Sequence, residues 1–112
     1  MKAFRILLFI LFAVALPYTI LVGINYGWNV MPIFFADIRS MNWPGQFNLD
    51  FLFHISLAAL WLAWRNNFSA KGFVLAALAF VGGIHLLAGY LFVTSFQAQS
   101  IQELLVGKDR LK

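Results

Sequence analysis

The sequence predicts an all-α integral membrane protein with three transmembrane helices, and three observations lead there. Hydrophobic residues make up 62% of the 112 and charged ones only 11%, where an average soluble domain holds about 45–50% and about 25%. Three long runs, at about 6–24, 47–64 and 72–96, carry most of that apolar surface. Tryptophan and basic residues gather at the run edges, as they do where helices leave a bilayer. A soluble fold this small has no interior large enough to hide so much apolar surface.

The first run, Ile6 to Ile24, contains no charge. At 1.5 Å per residue it is long enough to cross about 30 Å of hydrocarbon. Lys2 and Arg5 ahead of it, with Ala13 and Ala15 further on, resemble a secretory signal peptide. The run continues well past Ala15, however, so an uncleaved membrane helix is the expectation. Pro17 lies inside it and removes one backbone hydrogen bond.

Residues 25–46 mix turn formers (Asn25, Gly27, Asn29, Pro44, Gly45) with Trp28, Phe34, Phe35 and Trp43. That composition suits an interfacial outer loop. Within it, Pro32 to Arg39 reads as a short amphipathic helix opened by proline in its first turn.

The second run has a polar entrance, Asp50 and His54, and ends at Trp61, Trp64 and Arg65. The third, from Gly72 to Phe96, carries no formal charge and holds His85 near its middle. Beyond it, Ile101, Leu104, Leu105 and Leu111 recur at helical spacing beside Glu103, Lys108 and Arg110. Residues 97–112 therefore read as an amphipathic surface tail. The whole chain forms a single transmembrane domain in this reading.

Orientation follows from the basic flanks. Lys2, Arg5, Arg65 and Lys71 place the N-terminus and the turn between the second and third runs in the cytoplasm. With three spans the tail falls outside, which leaves Lys108, Arg110 and Lys112 on the side that basic residues avoid. The net charge of +4 is spread thinly, with no cluster of the kind that follows a phosphate backbone, so nucleic acid is not an expected partner. The absence of cysteine excludes disulfides and thiolate chemistry. No catalytic motif is present.

Three polar residues in the apolar runs are candidates for function. Asp50 and His54 stand four apart, on one helix face and within hydrogen-bonding reach. Such a pair holds a proton or orients an imidazole; alternatively, Asp50 caps the start of its helix and His54 satisfies a neighbour. His85 has Gly82, Ala88 and Gly89 on its own face, so a neighbouring backbone or a flat ligand has room to approach. Gly72, Ala76, Ala79 and Gly83 extend that strip of small residues, whose usual role is helix packing. With antiparallel second and third helices, His54 and His85 fall at one depth and face the bundle interior. There they ligate a b-type haem or form a plain polar layer.

The segments Ala15-Leu16-Pro17-Tyr18, Phe34-Phe35, Phe47-Asn48-Leu49-Asp50 and Leu60-Trp61-Leu62-Ala63-Trp64 together resemble a family of small bacterial membrane proteins of unknown function. The resemblance implies a bacterial inner-membrane setting and transfers no activity. The functional expectation is a non-catalytic accessory or interaction subunit, packed against a larger membrane complex or its own copies in the bilayer. Two alternatives stand beside it: a histidine-ligated electron carrier holding haem b, and a transport subunit in which Asp50 titrates.

Overall fold

Helices α1 (Lys2–Tyr26) and α3 (Trp43–Arg65) are the two elements of this computed structural model long and apolar enough to cross a membrane. The structure describes residues 1–111, and all regular structure among them is helical. Pro17 sits inside α1 without ending it. The helix stops at Gly27, whose φ of 88° is open to glycine and strained for other residues.

Helix α2 (Met31–Arg39) opens with proline in its first turn, as the sequence predicts. It lies antiparallel to the start of α3. Asn48 on α3 donates to the Phe34 carbonyl at 3.2 Å, and Gly45 is packed so closely that a Cβ there would collide with the Asp37 carbonyl. Helix α3 begins before the expected 47, because Asn42 caps it, accepting from the Gly45 N–H at 2.9 Å, and Pro44 fills its first turn. Asp50 is therefore not the cap. It lies two turns inside the helix.

A tight turn reverses the chain after α3. Asn67 and Phe68 both adopt positive φ, at 61° and 53°, and Ser69 then caps α4 (Ala70–Gly82). Helix α4 runs back along α3, with Gly72 against Ala63 and Asn66 and, at the far end, Gly83 against the Phe51 ring. Small residues let the two backbones approach, and Ala63 and Ala79 are buried between them.

The continuous third span expected over 72–96 is not found, and this is the principal correction to the sequence reading. Gly83, at φ 58° and ψ −132°, ends α4 and starts α5 (Ile84–Ser95), which returns in the opposite direction. Contacts with α1 fix that direction: Gly89 lies by Phe12, Phe92 has its ring centroid 6.2 Å from that of Phe9, and Ser95 is held by Arg5. Tyr90 meanwhile reaches Arg65 at the C-terminal end of α3. The arms have 13 and 12 residues, so each is about 20 Å long, short of the about 30 Å of a hydrocarbon core. The run is a helical hairpin with α4 on α3 and α5 on α1.

The tail also differs from expectation. It folds as α6 (Ile101–Val106) and a 3₁₀ turn (Lys108–Leu111), and α6 docks on the end of α3 rather than lying free as an amphipathic surface. Leu104 is fully buried, and the Arg65 and Trp61 side chains donate to the carbonyls of Leu104 and Leu105 at 2.6 and 2.9 Å. The interior is small: apart from the glycines, α1 buries only Leu8 and α5 only Ala88 and Ser95. The outward faces of α1, α3 and the hairpin are apolar and exposed.

Candidate functional site

Polar chemistry concentrates at two levels of the fold, the turn of the hairpin and the end where α3 meets the tail. At the turn, His85 Nδ1 lies 2.9 Å from the Gly82 carbonyl and Nε2 lies 2.9 Å from Thr19 Oγ1 on α1. A carbonyl only accepts, so Nδ1 donates to Gly82, while Nε2 shares a hydrogen bond with the Thr19 hydroxyl. Both ring nitrogens are thus engaged.

His54 makes no such cross-helix bond. Its Nδ1 donates to the Asp50 carbonyl at 2.8 Å and lies 3.2 Å from Asp50 Oδ1, so the four-residue spacing does bring the pair together. Both side chains face away from the rest of the chain, His54 being 73% and Asp50 56% exposed. The contact of Phe51 with Gly83 puts His54 and His85 within about one turn of each other in height. They share a level but not a face. The expected arrangement, with both imidazoles facing the bundle interior for a haem or a shared polar layer, is not found: His54 points outward and His85 Nε2 is occupied by Thr19.

The small residues divide by role. Gly72 abuts α3, and a Cβ on it would stand 3.0 Å from Asn66 Cβ; Gly89 faces Phe12 of α1 at 3.6 Å. Ala79 is buried and Ala76 half-buried. Gly82 has only Leu86, in the first turn of α5, nearby, while Gly83 makes the turn. Among the described residues no group of three or more acidic or histidine side chains could hold a metal ion.

The other end of the molecule is built around three arginines that the sequence reading used only as orientation markers or tail charges. Arg5 donates through Nε to Ser95 Oγ at 3.0 Å and through Nη2 to the Ser95 carbonyl at 2.8 Å, with its guanidinium 4.3 Å above the Phe96 ring. Arg65 donates to the Leu104 carbonyl and, at 3.0 Å, to the Tyr90 hydroxyl, which also accepts from Asn66. Arg110 stacks 4.0 Å over Trp64 and donates to the Trp64 carbonyl at 2.7 Å. These bonds close the tail beneath α3 and frame a cavity of about 300 Å³ between Arg65, Lys71, Tyr90 and the 3₁₀ turn. A second, largely apolar groove of about 390 Å³ opens between the two arms of the hairpin. Neither was visible in the sequence, because the residues that form them come together only through the reversal at Gly83.

Compared with known family models, with curated proteins and with solved structures, the chain finds no match. The family resemblance therefore brings nothing further to the site, and its chemistry rests on the residues themselves.

Proposed function

We propose that this chain is a small, non-catalytic integral membrane protein that acts as an accessory or interaction subunit of a larger membrane assembly or of its own oligomer. In this reading α1 crosses the bilayer outward and α3 crosses back. The α4–α5 hairpin enters from the cytoplasmic side and returns to it, packed between the two spans. Lys2, Arg5, Arg65, Lys71, Lys108 and Arg110 then all lie on the cytoplasmic side, as the preference of basic residues for that side requires. Among the described basic residues only Arg39, on α2, lies opposite.

One observation carries the proposal: the Asp50–His54 pair sits on the outward face of α3, about two turns inside the helix, among exposed Phe53 and Leu57. An ionisable pair turned toward lipid is costly, so in the bilayer this face is covered by protein. The partner is either a second copy or a larger membrane protein with a polar group at matching depth. Extraction into native nanodiscs, followed by sizing and mass spectrometry of what accompanies the chain, tests this. The expected particle contains more protein than one chain. A single chain surrounded by lipid alone overturns it.

A further inference from the structure

The cavity under α3 and the groove between the hairpin arms are one continuous site: Lys71, Tyr90, Thr94 and Gln97 line both. We propose that this site holds one anionic phospholipid, with its phosphate headgroup in the cavity and an acyl chain along the groove.

The charge distribution favours an anion. Arg65, Lys71, Lys108 and Arg110 line the cavity, against Glu103 and Asp109. Arg65 and Arg110 direct donors to backbone carbonyls and hold the wall in place. Among the described residues Lys71 and Lys108 have no ion-pair or hydrogen-bond partner, so their ammonium groups are the mobile cations available to a phosphate. Glu103 is occupied in part, its carboxylate accepting from the Gln99 N–H just ahead of the Ser100 cap.

The junction suits a glycerol ester. Tyr90 accepts from Arg65 and Asn66 and keeps its own proton to donate. The Thr94 hydroxyl and the Gln97 amide stand beside it at the mouth of the groove. Past them the lining turns apolar, through Val93, Gly89, Leu86 and Leu75, and ends at His85. From Gln97 to His85 the groove runs along twelve residues, about 18 Å, close to the about 15 Å depth of one leaflet in a core of about 30 Å. A free phosphate would use the cavity and leave the groove empty; a lipid uses both.

The site rests on the membrane reading of α1 and α3, which puts the cavity at headgroup level. The test is reconstitution of the full chain in nanodiscs of phosphatidylcholine and phosphatidylglycerol, with retained lipid read by native mass spectrometry. The wild type should keep one phosphatidylglycerol per chain in preference to phosphatidylcholine by roughly tenfold or more, given two unpaired lysines at the surface. K71Q/K108Q should lose that preference, and V93W, which fills the groove at an exposed position, should lose retention. Circular dichroism confirms that each variant is folded. Inorganic phosphate in excess should not displace the lipid. An inserted wild type without preference, a preference that survives K71Q/K108Q, or displacement by inorganic phosphate overturns the lipid site. The first of these leaves the membrane reading intact.

Discussion

Arg5 and Ser95, ninety residues apart in the chain, are joined by two hydrogen bonds, from the guanidinium to the hydroxyl at 3.0 Å and to the carbonyl at 2.8 Å. The bonds tie the start of α1 to the end of α5 and so put both ends of the described chain at one end of the fold. Reporter fusions at the N-terminus and after the tail are therefore expected to report the same compartment, the cytoplasm. A cysteine placed at Asn29 should react with an impermeant thiol reagent added outside. Fusions reporting opposite sides would mean that 72–96 crosses as one helix.

How much of this was legible in the sequence depends on which residues carry the signal. The apolar stretches of α1 and α3 and the proline-opened α2 follow from local composition, and the structure places them close to where composition does. The hairpin does not follow, because the largely apolar run continues through Gly82-Gly83, and its 25 residues satisfy the length of one span as well as that of two arms. A glycine pair is tolerated within membrane helices, so it does not announce a reversal by itself. The available clue was electrostatic. A three-span reading left Lys108, Arg110 and Lys112 on the wrong side, and one further reversal removes the conflict. Asp50 and His54 were legible as a pair, but the face they occupy depends on where α4 packs.

The two adjacent glycines are expected to respond differently to a methyl group. Gly83 has positive φ and the Phe51 ring 3.1 Å from its would-be Cβ, whereas Gly82 is helical and meets only Leu86 Cβ at 3.5 Å. Gly83→Ala should lose about 1–3 kcal/mol, the usual range for a residue held in a sparsely populated backbone region. Gly82→Ala should be neutral or gain up to about 1 kcal/mol from helix propensity. Thermal unfolding in detergent measures both. Equal effects would show that the chain does not reverse at Gly83.

Thr19 is the partner that fixes His85. Thr19→Val keeps the shape and removes the hydroxyl, leaving Nε2 unpaired between α1 and α5. The expected loss is about 0.6 kcal/mol, the average for hydrogen bonds between membrane helices, and at most about 1.7 kcal/mol. The imidazole NMR shifts should change with it. An unaltered midpoint and unaltered shifts would show that His85 does not bond across to α1.

Asp50 and His54 allow association to be separated from folding. Their bonds run only to each other and to the backbone of their own helix, so removing both side chains deletes no contact that holds α3 to α1, α2 or α4. Asp50→Leu combined with His54→Leu should therefore leave helicity and the thermal midpoint of the isolated protomer unchanged or slightly raised. In the bilayer the balance shifts. A charged Asp costs about 2.5–3.5 kcal/mol at the centre of a membrane helix and less two turns in, and in the proposed assembly a protein partner relieves that cost. The double variant has no such cost to relieve and should appear in native nanodiscs as a single chain where the wild type appears in a larger particle. Asp50→Asn, which keeps a hydrogen-bonding oxygen and loses the charge, should fall between the two. If the double variant unfolds in detergent, the pair is a structural element of the protomer and does not act as an association surface. If it folds and the larger particle persists, the contact lies elsewhere, with the exposed aromatic surface of α1 the next face to substitute.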